Sequence, residues 1–519
     1  MQQYRAPLFT LILGCSVHVS ADAEDGLASR SHSPPAFVYN LPAVAGPFSR
    51  SVSSLKTFKT PPWFADAKFG IWAHWGPQAV PAAGDWYARN MYIPGTRQYE
   101  HHLKHYGHPS ETGFKDIIPL WKAEKFNPDA LMKLYVQAGA RYFVSMAVHH
   151  DNFDLWDSRY QRWNAVKMGP KRDIVGEWQK AARKYNVPFG VSEHLGASFG
   201  WYMPSHAYDQ FWPKMGVDYD GANPAFNDLY HSGTDTPYKN ASTWYTTKPE
   251  SQQHWFNRIN DLVSRYKPDL LYTDGGIPFG DVGRQLVANL YNISAAQHKG
   301  SNQAVFTHKD MGSGEFIGDA GVQDVERGGM SGINPTPWQT DTSIGDWFYS
   351  EGFAYKTTDQ IVHTLADVVS KNGNLLLNVV LYADGSLPPE PQQFLTEMAA
   401  WMAVNSEAIY ATRPWKIYGE GPTQAEAGHF KESDLFTEAD IRFTSKGTTL
   451  YAITLRAPTQ PIRITSLGKN SPLINQPVKS VRMLGHKKAL KWQQEEDALV
   501  VQIPSQLPSR YASSLKIEF

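Results

Sequence analysis

Asp274 closes the apolar run Pro268-Asp269-Leu270-Leu271-Tyr272-Thr273-Asp274 and is followed by Gly275-Gly276. A carboxylate at the end of a buried strand can serve as a nucleophile, a general base or a metal ligand, and it can equally cap the next loop. Three further polar clusters close apolar runs in the same way. His74 follows Phe69-Gly70-Ile71-Trp72-Ala73, His149-His150-Asp151 follows residues 142–148, and Glu193-His194 follows Gly190-Val191-Ser192. One strand-end histidine is commonly structural, whereas several that converge with a carboxylate indicate a site.

The elements that carry these groups alternate. Trp255, Ile259, Leu262, Val263 and Tyr266 recur at helical spacing ahead of the Asp274 strand, so a helix feeds it through a Lys267-Pro268 turn. Asn127-Pro128-Asp129 opens a helix with Leu131, Leu134, Tyr135 and Ala138 on one face, before the strand at 142–148. Asp173 caps another, with Ile174, Val175, Trp178, Ala182 and Tyr185 inward, which leads into 187–192. A helix with Ile361, Val362, Leu365, Val368 and Val369 precedes 374–381. Repeated helix and strand at this spacing predicts an α/β fold, a (β/α)8-like barrel over residues 56–405, with a doubly wound open sheet as the alternative. A barrel would collect the strand-end groups on its C-terminal face. The aromatic, aperiodic stretch 201–251, with Trp201, Tyr202, Phe211, Trp212, Tyr230, Tyr238 and Trp244, reads as a wall or lid over the leaving-group side.

After Trp401 the pattern shortens to period two, as in Tyr451, Ile453 and Leu455, and it continues to Leu515, Ile517 and Phe519. This predicts a C-terminal β-sandwich over 406–519. At the other end Arg5, an apolar stretch over 7–19, and Val19 and Ala21 before Asp22 read as a signal peptide over 1–21. A Ser/Pro/Ala-rich linker or strap over 22–55 follows, and a secreted or periplasmic protein is expected. Cys15, the single cysteine, gives lipoprotein anchoring as the lesser option and leaves the mature body without disulfides. No other segment is apolar enough to span a membrane. The net charge of −1 excludes a global field for nucleic acid or anionic membrane. The abundance of rings, 17 Trp, 26 Tyr and 25 Phe, suits the apolar C–H faces of a sugar.

Trp63-Phe64-Ala65-Asp66-Ala67-Lys68-Phe69-Gly70-Ile71-Trp72-Ala73-His74-Trp75-Gly76, Asp85-Trp86-Tyr87, His149-His150-Asp151-Asn152-Phe153, the Asp274 strand and Asn374-Leu375-Leu376-Leu377-Asn378 together resemble the α-L-fucosidases of glycoside hydrolase family 29. The likeness runs in order from about 58 to 415. It implies retaining hydrolysis of fucosylated glycans, with the nucleophile at Asp274 and no cofactor or metal. By the same resemblance His74, His149 and His150 contact sugar hydroxyls and Trp86 forms part of the pocket wall; His194, a strand-end histidine of the same set, is expected to bind substrate as well. Tyr272 stands where relatives carry Trp, and Lys309, in Thr307-His308-Lys309, stands where many carry Arg. Glu193, beside His194, adds a carboxylate expected to bind a hydroxyl. The acid/base falls on Glu326, which precedes Pro337-Trp338-Gln339-Thr340-Asp341 in the order seen in relatives; Glu315 and Glu193 are its rivals, and a salt bridge with Arg327 is its structural alternative.

Two other classes fit parts of the pattern. His74, His149, His150 and Asp274 could serve a metal-dependent barrel hydrolase. A noncatalytic glycan-binding protein on the same scaffold is the other. Oligomeric state is open, a homo-oligomer included.

Overall fold

The computed structural model describes residues 37–209, 216–232, 244–432 and 436–519. Eight parallel strands form its centre: β1 Phe69–Ala73, β2 Tyr142–Val148, β3 Phe189–Glu193, β4 Leu270–Thr273, β5 Val305–His308, β6 Val322–Gln323, β7 Trp338–Ser343 and β8 Gly373–Asn378. Strands β1 to β6 are neighbours in chain order, and β8 then β7 continue from the free side of β1. The seam between β6 and β7 carries a parallel bridge, Asp324 with Gln339. Across it the Val325 N–H donates to the Gln339 carbonyl at 2.9 Å, and Gln339 Nε2 donates to Asp324 Oδ2 at 2.6 Å. The parallel sheet therefore curls into a nearly closed barrel and is not the open doubly wound alternative. Strands β1 to β5 are buried along their whole length, as expected where helices cover the outer face and side chains fill the inside.

Helices α1 Pro128–Gln137, α2 Ile174–Lys184, α3 Pro249–Tyr266, α4 Asp281–Gln297 and α5 Thr358–Ser370 precede β2, β3, β4, β5 and β8. Their starts have local causes. Asn127 accepts from the Ala130 N–H and Asp173 from the Gly176 N–H, while Thr357 and Gln360 form a reciprocal capping box. In α3 the inward set Trp255, Ile259, Leu262, Val263 and Tyr266 is buried. The barrel departs from an ideal eightfold repeat at β5–β6 and β6–β7, which are joined by loops with only a short 3₁₀ turn at Gly318–Ala320. Those two loops carry Lys309 and Glu326.

Residues 39–49 lie across α4. Asn289 Oδ1 accepts from the Val44 N–H and Asn292 Oδ1 from the Phe48 N–H, both at 2.9 Å, and Asn292 Nδ2 returns bonds to the carbonyls of Val44 and Phe48. The Asn292 amide is thus committed to chain packing. The signal-peptide reading, Cys15 and residues 22–36 of the 22–55 linker lie outside the described residues.

The C-terminal strands are β9 Arg413–Glu420, β10 Ile441–Lys446, β11 Thr449–Thr454, β12 Ile462–Ile464, β13 Ser480–Met483, β14 Trp492–Gln494, β15 Leu499–Val501 and β16 Ser513–Glu518. They form two antiparallel sheets, β9-β10-β11-β16-β13 and β12-β15-β14. Phe443, Leu450, Ala452, Leu515 and Ile517 of one sheet share a core with Ile462, Ile464, Leu499 and Val501 of the other. Period two sends the other face elsewhere: Tyr451, Ile453 and Leu455 join the core of the barrel. Between the two bodies Asp367 of α5 accepts from Arg442 Nε at 2.6 Å and from Lys371 Nζ at 2.8 Å, all three groups being buried. Among the described residues no helix is long and apolar enough to cross a membrane.

Candidate active site

Because the strands run parallel, their C-terminal ends open on one face. His74 follows β1, His149 and His150 follow β2, His194 follows β3, Asp274 follows β4, Lys309 follows β5, Asp324 and Glu326 follow β6, and Asp341 lies within β7. All of these but Asp324 line a cavity of about 390 Å³ whose wall also includes Trp72, Asp85, Trp86, Trp244, Tyr245, Tyr272, Trp347 and Phe430. Gly275 explains the turn after the nucleophile candidate. Its φ is +126°, and a Cβ there would stand 2.9 Å from the Ser313 carbonyl oxygen.

Asp274 is held from two sides. Lys309 Nζ lies 3.0 Å from Oδ1, while His150 Nε2 and His194 Nδ1 lie 3.2 and 3.5 Å from Oδ2. Burial alone would raise its pKa. The Lys309 charge and the two imidazoles outweigh burial and hold the carboxyl well below the usual carboxylate range. Lys309 also reaches Glu326 Oε2 at 2.5 Å and Asp341 Oδ2 at 3.6 Å. Burial pulls the ammonium down, but the surrounding carboxylates more than reverse this and it stays charged. Glu326 behaves oppositely to Asp274. Burial, reinforced by Asp341 and Asp274 against the Lys309 charge, pushes it up to about 7. The two contacts of Lys309 cap the separation of the near oxygens of Asp274 and Glu326 at about 5.5 Å, which suits a direct-attack pair.

The histidines form one buried cluster. Burial keeps His74, His149 and His194 below the usual histidine range, so they are neutral donors and acceptors at pH 7. Gln78 Nε2 donates to His149 Nδ1 at 3.0 Å, which leaves the proton on Nε2, 3.9 Å from Asp85. Among the described residues His74 Nδ1 has no hydrogen-bond partner. Trp86 holds a left-handed φ of 59° and packs against Trp244 at 5.4 Å. Tyr272 is buried, its hydroxyl 3.0 Å from Asp341 and 3.3 Å from Asp274. His74, His149 and His194 bring one ligand atom each within 4.8 Å of one another, as do His150, His194 and Asp274, so either trio could hold a metal ion.

Two sequence expectations do not survive this geometry. Glu193 does not line the cavity: Thr273 Oγ1 at 2.5 Å, Trp255 Nε1 at 3.2 Å and the Leu195 N–H at 2.9 Å occupy its oxygens. Period two on β3 aims Glu193 outward at α3 and the next residue, His194, inward. Glu315 also lies outside the cavity lining and pairs with Arg284. Glu326 pairs with Lys309, not with Arg327, whose guanidinium lies 4.9 Å from the Trp347 ring. Of the 201–251 stretch, Trp244 and Tyr245 form cavity wall, while Trp201 backs His150 at 5.3 Å. Tyr202 and Tyr230 are buried, and Tyr230 donates to Asp220 at 2.7 Å. Phe211, Trp212 and Tyr238 lie outside the described residues.

Sequence reasoning assigned no role to Asp341, Asp85 or Phe430. Asp341 could have been found as the carboxylate of an otherwise uncharged buried strand, 338–343. Phe430 carried no local signal, because it comes from the aperiodic segment between barrel and sandwich.

The family profile described as Alpha-L-fucosidase matches residues 39–407. The chain belongs to the α-L-fucosidase family. A second profile, the α-L-fucosidase C-terminal domain, matches residues 433–518 of this fucosidase family member. The tissue α-L-fucosidase of Bos taurus is 31% identical over 484 residues, covering 89% of this chain and 90% of its own. That of Homo sapiens is 28% identical over 480 residues, with 89% and 90% covered. Among solved structures, a Thermotoga maritima α-fucosidase in complex with fucose is 25% identical with a TM-score of 0.68, covering 90% of this chain and 99% of its own. The same fucosidase with a mechanism-based inhibitor gives 25% and 0.70, covering 91% and 100%. Membership makes the chain a glycoside hydrolase that acts on α-L-fucose in fucosylated glycans.

Proposed function

We propose that the chain removes terminal α-L-fucose by double displacement with net retention, Asp274 acting as nucleophile and Glu326 as acid and then base. The supporting observation is the divergence of two carboxyls that share one ammonium: Asp274 is ionised at neutral pH, and Glu326 keeps a proton up to about 7. In the first step an Asp274 oxygen bonds to the anomeric carbon as the C–O bond to the leaving group breaks. Its electron pair goes to the leaving oxygen, which takes the Glu326 proton. In the second step Glu326, now a carboxylate, takes a proton from water as the water oxygen attacks the same carbon and releases Asp274.

In this reading His74, His149, His150 and His194 bind the sugar hydroxyls, with Trp86 as wall. Trp72 and Trp347, with ring centroids 5.4 Å apart, offer an apolar corner for the methyl group of this 6-deoxy sugar. Lys309 holds Asp274 ionised as a point charge, without the two-pronged contact that an arginine would make. The reading of 1–21 as a signal peptide is what supports secretion or a periplasmic location. The test is stereochemical. Proton NMR of the first-formed sugar should show α-L-fucose before mutarotation, and first-formed β-L-fucose would overturn the mechanism.

A further inference from the structure

The wall of the cavity beside Glu326 is supplied by the segment that leads into the sandwich. Gly428 pairs with Gly329 in an antiparallel bridge, its N–H donating to the Gly329 carbonyl at 2.8 Å. A Cβ on Gly328 would stand 1.9 Å from the Gly428 carbonyl oxygen, so the two backbones are in direct contact. His429 Nδ1 accepts the Glu326 N–H at 3.0 Å, and its Nε2 donates to Asp310 at 2.8 Å. The Phe430 N–H then donates to the Glu326 carbonyl at 2.8 Å. The chain holds Phe430 at φ 57° and Arg327 at φ 46° in this clasp, a conformation that bulky residues seldom adopt and that is retained where surroundings enforce it. The result is a large ring at the cavity rim that is 56% exposed.

Position gives that ring a use. A general acid must touch the leaving oxygen, so whatever is attached to fucose leaves the cavity past Glu326 and meets the residue clasped to its backbone. We infer that Phe430 is the platform of the leaving-group subsite, stacking on the apolar C–H face of a pyranose ring joined to fucose. His429 acts as the positioning residue that ties this platform and the Glu326 loop together. The inference rests on Glu326 being the acid, and it reaches beyond that reading by naming the residue that would hold the sugar next to fucose.

Phe430→Ala separates the two. With a fucosyl disaccharide, kcat/KM should fall about five- to tenfold, the size of one lost ring-stacking contact. With α-L-fucosyl fluoride, whose leaving group is a single atom, it should stay within about twofold of wild type, which also shows that the variant is folded and that the chemistry is intact. Phe430→Tyr should restore the disaccharide value. An unchanged disaccharide value, or equal losses on both substrates, would overturn the platform. Loss of retention on the fluoride would instead count against the mechanism.

Discussion

The Lys309 ammonium stands 3.0 Å from Asp274 Oδ1 with 2% of its side chain exposed. It is the only Lys or Arg in ion-pair contact with Asp274 among the described residues, and the same atom touches the acid candidate. Removing it should therefore change how both groups titrate. In Lys309→Met the acid limb of the kcat/KM profile should move upward in pH, because burial then acts on Asp274 without its main counter-charge. The variant should also lose about 3–5 kcal/mol of stability, the usual effect of leaving buried carboxylates unpaired. An unmoved acid limb would show that Lys309 does not set the ionisation of Asp274.

Asp274→Ala should remain folded and lose turnover by roughly three orders of magnitude or more, since the atom that forms the covalent intermediate is gone. Azide should restore turnover of an activated aryl fucoside by attacking in its place. Near wild-type hydrolysis would remove Asp274 as nucleophile.

Glu326 carries the alkaline limb. Its working form is protonated and its pKa is raised to about 7, so kcat/KM for a fucosylated oligosaccharide should fall as pH rises through that value. Glu326→Ala should cripple this substrate while sparing intermediate formation from dinitrophenyl fucoside, whose leaving group departs without a proton, and the alkaline limb should vanish. Glu315→Ala and Glu193→Ala should show neither effect; a leaving-group-dependent loss in either would move the acid.

Exhaustive chelation should leave activity unchanged, since neutral histidines bind hydroxyls without an ion. Loss with chelator, restored by added zinc, would place a metal on one of the two trios, His74-His149-His194 or His150-His194-Asp274.

The contact between barrel and sandwich is testable through Asp367, which accepts from both Arg442 and Lys371. Asp367→Ala should cost about 3–5 kcal/mol in denaturant unfolding by stranding two buried cations. Activity per folded molecule should be unchanged. A loss below about 1 kcal/mol would show that water reaches the pair.

The elements were legible because their causes are local. Asn127, Asp173 and the Thr357–Gln360 pair start helices through bonds to their own next turn. Strands buried on both faces must be near-continuous apolar runs, and the polar residue that ends each run stands out against them. Hence His74, His149, His150, His194 and Asp274 could be read from the chain, and period two separated the two faces of the sandwich.

Tertiary structure decided what depends on where loops go. Glu193 and His194 are adjacent in sequence, yet only the direction of β3 in the closed barrel tells which one meets the cavity. Glu326, Lys309 and Asp341 come from three different segments, and their shared charge balance exists only once β5, β6 and β7 are side by side. Phe430 is the extreme case, reaching the cavity by backbone contact with the Glu326 loop. By itself the sequence determined which groups could do chemistry, because local patterning and residue type are properties of neighbours along the chain. Which carboxyl keeps its proton was decided by the fold, because burial and opposing charge are properties of neighbours in space.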